Sequence, residues 1–363
     1  MPVGFIYSNE TYALGYNIYS MKTNLRSLSK TELIQFIEQM GQKPYRAKQI
    51  INWLYKRLAN SFDEMTDLSK EFRADLEKKA YISNLTLLQK QVSRDGTEKF
   101  LFGLEDGESI ESVVIPNTKG EASYSLCISS QVGCAMKCLF CRTGGLGLKR
   151  NLRSYEIVNQ VISSKRLIGK GEITNIVFMG MGEPFNNFKE VRDALMKITE
   201  LIGYSKRKIT VSTSGIVPGI KKFGDEGPDV NLAISLNAST DESRTMIMPI
   251  NKKYPLENLM KACREFPLAP RRRITFEYVL IGDINDSSED ARRVTSLLKD
   301  IRAKVNLIPF NPVGSSTGLK KSSEGRVLKF QDIINKAGIT TMIRKSKGSD
   351  ISAACGQLKA GYK

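Results

Sequence analysis

Apolar positions change period twice along the chain. Within residues 24–80 they recur at helical spacing. Leu33, Phe36, Ile37 and Met40 form one stripe, with Ser29 placed to cap it and Gly41 to end it. A second stripe starts at Arg46 and carries Ile50, Ile51 and Leu54. The period then shortens to two. Glu98–Leu104 and Ser109–Ile115 read as strands about a turn at Asp106-Gly107, stopped by Pro116. From about residue 120, short β runs alternate with helical stripes. The runs are Tyr124–Ser129, Ile173–Met179, Lys208–Ser212, Asn231–Leu236, Ile274–Ile281, Val305–Pro309 and Thr340–Arg344. Ser154–Ile168 and Ser287–Ile301 are two of the intervening amphipathic helices. Repeated β-then-α order predicts an α/β fold with a parallel sheet, open or closed into a barrel. Chemistry in such folds sits at the C-terminal ends of the strands.

Composition narrows the partners. The 363 residues carry 55 Lys+Arg against 38 Asp+Glu, a net charge of +17. That excess favours polyanions, nucleic acid above all, through counterion release. Lys206-Arg207-Lys208, Arg271-Arg272-Arg273 and Arg344-Lys345 are basic clusters, though each is also compatible with a solvated loop. No apolar run is long enough to span a bilayer, and the Tyr-rich start lacks the pattern of a secretory signal. A cytoplasmic protein without membrane association is expected. Met21 offers a second start, and residues 1–23 read as a poorly ordered extension. There are no histidines, which excludes His-dependent hydrolysis and Cys₂His₂ zinc sites.

Two loops then stand out. Cys134, Cys138 and Cys141 are spaced C-x3-C-x2-C just after a predicted strand. Three thiolates hold three irons of a [4Fe-4S] cubane and leave the fourth iron open. An open iron can bind S-adenosylmethionine and deliver the electron that cleaves its C–S bond. A structural zinc site, with a fourth ligand from another cysteine or a carboxylate, and three unrelated thiols are the alternatives. Downstream, Ile176–Met179 runs into Gly180-Met181-Gly182-Glu183-Pro184. There the glycines let the backbone approach a ligand, and Glu183 is placed to accept hydrogen bonds from an ammonium group.

The segments CISSQVGCAMKCLFC, GLKRNLRSYEIVNQV, MGMGEP, TVSTSG, AISLNAS, NLIPFNP and SDISAACGQL resemble the RlmN/Cfr family of radical-SAM RNA adenosine methyltransferases. The likeness runs from about Gln42 to Leu358. It implies a partial (β/α)6 radical-SAM barrel with a small N-terminal helical accessory domain. The expected division is residues 1–23, an accessory RNA-binding domain 24–108, a barrel 109–345 and a C-terminal segment 346–363 with the methyl-carrier loop.

The resemblance also assigns roles. Adenine carbon 2 is electron-poor and cannot attack a sulfonium methyl, so the family uses two molecules of S-adenosylmethionine per turnover. One methylates a carrier cysteine, here Cys355. The other yields a 5′-deoxyadenosyl radical that removes a hydrogen from that methyl. The carbon radical adds to the base, and a resolving cysteine, here Cys127, releases product by forming a disulfide. Alternation of Leu126 and Ile128 with Cys127 points this thiol into the barrel, and the small residues around Cys355 suit a mobile loop. Glu111 takes the proton-acceptor position. Gly182, Glu183, Ser212, Ser235, Leu236, Asn237 and Asn311 take the S-adenosylmethionine positions. Asn237 departs from the family's usual histidine and cannot carry a proton. Cys263, on a helical stripe, is expected to be structural. The implied partners are 23S rRNA, a tRNA adenosine next to the anticodon in some members, and a flavodoxin- or ferredoxin-type donor to a monomeric enzyme. Ser130–Gly133 and Asn306–Pro312 favour the carbon-2 branch over the carbon-8 (Cfr) branch. A non-catalytic, zinc-stabilised RNA-binding protein is the alternative from another class.

Overall fold

The computed structural model describes residues 22–117, 122–312 and 318–359, so most of the expected N-terminal extension lies outside the described residues. The chain divides into two compact units, Met1–Asn84 and Leu85–Lys363.

The smaller unit is built on three helices, α1 (Lys30–Gln39), α2 (Tyr45–Ile51) and α3 (Lys70–Lys79), with a short parallel pair, β1 (Thr23–Asn24) and β2 (Ala80–Tyr81). Ser29 closes a capping box on α1: its hydroxyl accepts the Glu32 N–H, and the Glu32 carboxylate accepts the Ser29 N–H. The α2 stripe continues through a π-type turn, Asn52–Lys56, that buries Trp53, Leu54 and Tyr55. Arg26 is fully buried and donates to the carbonyls of Ala59 and Ser83 and to Asn84 Oδ1, tying both ends of the unit together.

The larger unit contains strands β3 (Thr86–Val92), β4 (Glu98–Gly103), β5 (Ser109–Pro116), β6 (Ser123–Cys127), β7 (Gln131–Cys134), β8 (Gly147–Asn151), β9 (Glu172–Phe178), β10 (Ile209–Thr213), β11 (Asn231–Ser235), β12 (Ile274–Gly282), β13 (Ala303–Pro309), β14 (Lys320–Lys321) and β15 (Thr341–Ile343). Its helices are α4 (Arg142–Gly145), α5 (Ser154–Leu167), α6 (Phe188–Met196), α7 (Val217–Glu226), α8 (Asp241–Ile247), α9 (Leu256–Glu265), α10 (Ser288–Leu297) and α11 (Glu324–Lys336). Strands β6, β9, β10, β11, β12, β13 and β15 are parallel and adjacent in chain order, so each crossover moves one strand along and the sheet curls in one direction. Its two ends, β15 and β3, do not pair, which makes the barrel partial.

Alternation sorts the side chains. Leu126, Ile176, Val211, Ile234, Phe276 and Leu307 share one face and are fully buried. The opposite face carries Cys127, Ser212, Ser235, Glu277 and Asn306, and the last three lie in one register row. At this level the inner face carries polar side chains, most of them buried, instead of the apolar layers of a packed core.

Strands β3 and β4 join this sheet by antiparallel pairing through β5 to β6. The units therefore divide after Asn84, and the expected boundary at residue 108 falls inside the β4–β5 hairpin. A period of two marks strands but not the sheet they join.

Candidate active site

The parallel strands bring their C-terminal ends to one rim, and the expected residues gather there. Cys134 ends β7, beside Gly147 of β8. Lys137 turns the loop in the left-handed region (φ 54°), the Cys141 N–H bonds the Cys138 carbonyl at 3.1 Å, and Cys141 leads into α4. Burial pushes the Cys134 thiol up to about 12, with Glu183 and Cys141 adding to it; Cys138 is likewise raised by burial and by both other cysteines. Anionic sulfur here needs a compensating cation. Among the described residues no three Cys, Asp or Glu side chains are set to hold a single ion. Three thiols spread around one loop suit a cubane, in which each cysteine binds a different iron. Such a cluster supplies the electron for reductive cleavage of S-adenosylmethionine.

Next to this loop lies the glycine turn. Gly182 has φ +100°, and a Cβ there would sit 2.6 Å from the Gln131 side chain, so only glycine brings the turn this close to β7. Glu183 is buried. It accepts N–H bonds from Phe185 (3.1 Å) and Ser214 (2.7 Å), and burial raises its pKa despite them. The carboxylate is thus fixed by the ends of β9 and β10 and acts electrostatically on Cys134 and Cys138.

The loop after β11 carries Ser235, Leu236 and Asn237. Leu236 is wholly buried, so its rim-side contribution is its backbone. Asn237 is buried in the left-handed region at φ 57°, a conformation asparagine tolerates. Its Oδ1 accepts the Val279 N–H at 2.8 Å and its Nδ2 reaches Met248 Sδ at 3.2 Å. The side chain is committed to holding the turn, a task that needs hydrogen bonds and no proton transfer.

The C-terminal segment is pinned rather than loose. Asp350 accepts bonds from Ser93 Oγ and the Arg94 N–H, and Asp95 accepts the Gly348 N–H. Asn311 donates to the Cys355 carbonyl (3.3 Å) and accepts from Ser346. The Gly356 carbonyl accepts the Arg142 N–H at 2.7 Å, and the Leu358 carbonyl accepts Thr143 Oγ1. Cys355 is thereby held over the cysteine loop. Solvent reaches it, yet surrounding protein pushes its thiol up to about 12, with Glu277, Cys127 and Cys141 adding to the effect. Cys127, at the end of β6, is buried and also raised to about 12 by burial. Cys263 is packed in α9, as expected for a structural thiol.

Glu111 is buried, not a solvent-facing strand residue. Its carboxylate meets Lys99 Nζ at 3.1 Å and accepts the Lys359 N–H at 2.6 Å, and its carbonyl accepts Ser129 Oγ. Lys99, Glu277 and Asn306 were not among the sequence candidates. Each is a buried charged or amide residue in a strand whose other buried residues are largely apolar, and the sequence alone does not mark it. Asn306 Nδ2 donates to Glu277 Oε1 at 2.9 Å, while Asn306 Oδ1 is buried without a partner.

Two results follow from this docking. Gly356 has φ +85° and a Cβ there would sit 2.6 Å from the Phe140 carbonyl. Gly356→Ala should displace the neighbouring Cys355 and lower methylation about 10²-fold, the scale for an ångström of misplacement, while iron content stays normal. Burial pushes Asp95 up, but bonds from Thr97, the Gly348 N–H and Ser93 outweigh it and hold it at about 2. Its contribution to stability is present above the unfolded value of 3.8 and is lost as pH falls towards about 2. Asp95→Asn should flatten that acid limb in a Tm-against-pH series; an unchanged limb would assign the acid loss elsewhere.

A partial parallel barrel with three thiols on the loop after its first strand defines a radical-SAM enzyme, and residues 128–294 match the radical SAM superfamily. Residues 23–82 match the ribosomal RNA large subunit methyltransferase N-terminal domain. The dual-specificity RNA methyltransferase RlmN of Syntrophotalea carbinolica is 50% identical over 340 residues, 93% of this chain and 90% of that one. The protein of the same name from Pelobacter propionicus is 51% identical over 93% of this chain and 96% of its own. A crystal structure of a radical SAM methyltransferase from Sphaerobacter thermophilus superposes with a TM-score of 0.87 at 41% identity, covering 93% of this chain and 100% of that one. The chain belongs to the RlmN family. No helix among the described residues is long and apolar enough to cross a membrane.

Proposed function

We propose that this protein methylates carbon 2 of an adenosine in the peptidyl-transferase centre of 23S rRNA, and of the tRNA adenosine next to the anticodon, through a methyl carried on Cys355. Cys134, Cys138 and Cys141 would hold the [4Fe-4S] cluster. Gly182, Glu183, Ser212, Ser235, Leu236 and Asn311 would bind S-adenosylmethionine, with Asn237 shaping the turn. Two molecules are used per turnover, one as methyl donor and one as radical source. Cys355 loses its proton as it takes the methyl, and gives up one hydrogen atom from that methyl before the carbon joins the base. Glu111, held beside the carrier segment by Lys99, accepts the proton from carbon 2. Once the adduct has given one electron back to the cluster, Cys127 as a thiolate attacks the Cys355 sulfur; the S–S bond forms as the bond from that sulfur to the transferred carbon breaks, and that carbon takes up a proton to become the methyl of the released RNA. A small flavodoxin- or ferredoxin-type protein would reduce the cluster in a monomeric enzyme.

The observation carrying this reading is that the Gly356 carbonyl, next to Cys355, accepts the N–H of Arg142, next to Cys141, at 2.7 Å, while Asn311 holds the Cys355 carbonyl, so the carrier segment is tied to the loop that would hold the cluster. Mass spectrometry of rRNA and tRNA from a deletion strain and its complement tests it. Restoration of 2-methyladenosine is expected. A methyl at carbon 8 would place the chain in the other branch, and unchanged RNA would overturn the reading.

A further inference from the structure

Arg244 lies on α8 with no exposed surface. Its guanidinium donates to four acceptors: Nε to the Leu236 carbonyl (3.0 Å), Nη1 to Asn251 Oδ1 (3.0 Å), and Nη2 to the carbonyls of Ser214 (2.7 Å) and Ser235 (3.1 Å). All four are neutral. A buried cation is ordinarily matched by a carboxylate, because an unmatched charge in a low-dielectric interior is strongly unfavourable. Burial works against its charge; the groups that favour it are Cys138, first, then Asp241, whose Oδ1 already accepts from Asn251 and Leu256, and Cys263. The helix itself is joined to the cysteine loop: the Ile247 carbonyl accepts the Leu139 N–H at 3.0 Å, one residue beyond Cys138.

The bonded carbonyls also matter by position. Ser235 and Leu236 belong to the stretch read as binding S-adenosylmethionine, and the Ser214 N–H holds Glu183 Oε2. One side chain therefore braces the ends of β10 and β11, and among the described residues no carboxylate is hydrogen-bonded to it to neutralise its charge near Cys138. A cluster held by three thiolates is anionic and gains a further negative charge on reduction, and its potential depends on net charge and hydrogen bonding around it.

We propose that Arg244 is a positioning residue of the radical centre, bracing the S-adenosylmethionine-binding strand ends and stabilising the reduced cluster with its unpaired positive charge. The proposal rests on the reading of Cys134, Cys138 and Cys141 as cluster ligands. Wild-type protein that takes up no iron would refute that reading, whereas only the variants bear on Arg244.

The test uses the reconstituted full-length holoenzyme. The cluster potential is read by titration with electron paramagnetic resonance, and S-adenosylmethionine affinity by equilibrium dialysis. Arg244→Gln removes the charge, and the one-electron reduction constant should fall at least tenfold, about 59 mV. A wild-type potential in that variant would overturn the electrostatic role. Arg244→Lys keeps a charge but cannot reach four acceptors. Its potential should stay near wild type while affinity falls about tenfold; unchanged affinity would overturn the bracing role. Should the glutamine variant not fold, salt dependence of the wild-type potential decides the charge role. A buried cation is screened little, so the potential should hold as salt rises, and a potential that follows ionic strength would overturn the assignment.

Discussion

Cys355→Ala leaves the cluster in place and lowers RNA methylation on the order of 10⁴–10⁶-fold, the scale lost when a covalent nucleophile is removed. The reason is geometric. Cys355 is the thiol held over the cysteine loop by Asn311 and the Arg142 N–H, while Cys127 is buried at the end of β6 and Cys263 is packed in α9. Neither can replace it as carrier. The anchors of the segment are mostly backbone groups and the neighbouring residues Ala353 and Ala354 are themselves small and buried, so the change to alanine should disturb little else. Iron and sulfide content with the visible spectrum report the cluster, and mass spectrometry of the RNA reports product. Retained methylation would refute the carrier assignment.

Replacement of Cys127 has a different signature. Cys127→Ala should still allow the carrier methyl to join the base, but no thiol remains to release it, so a covalent protein–RNA adduct accumulates and turnover falls to a single event. The adduct is read on a denaturing gel and by mass spectrometry of the linked peptide around Cys355. Burial holds the Cys127 thiol at about 12, so it is protonated at neutral pH and becomes a nucleophile only as its proton is taken up within the site. The packing loss from removing one sulfur is about 1 kcal/mol, too small to unfold the unit. Free RNA with normal turnover would remove the resolving role.

How far the site could be read before folding depended on how its parts are distributed. The cysteine loop was legible because its three thiols lie within eight residues, Cys134 to Cys141, on a turn that follows a strand. The turn at Gly180–Pro184 was legible for the same reason. Cys127 and Cys355 carried no chemical pattern of their own; the family resemblance singled them out, and bonds to Ser93, Asp95 and Arg142 hold the segment that carries Cys355. Asn237 looked like a lost proton carrier until its side chain was seen to hold Val279 and Met248. The surroundings of Glu111 came only with the fold, in which β4 supplies Lys99 beside it.

The residue order alone determined most of the parallel strands, the α/β class, the three-cysteine loop and the positive charge that favours RNA. These depend on period, spacing and composition, which are local or additive. Only the tertiary structure decided which sheet claims residues 86–103, and that Arg244 lies buried near Cys138 and Glu277 near Cys355. Those facts arise from strand register and from bonds spanning dozens to hundreds of residues, and an isolated polar side chain in an apolar run does not reveal what it will meet across the barrel.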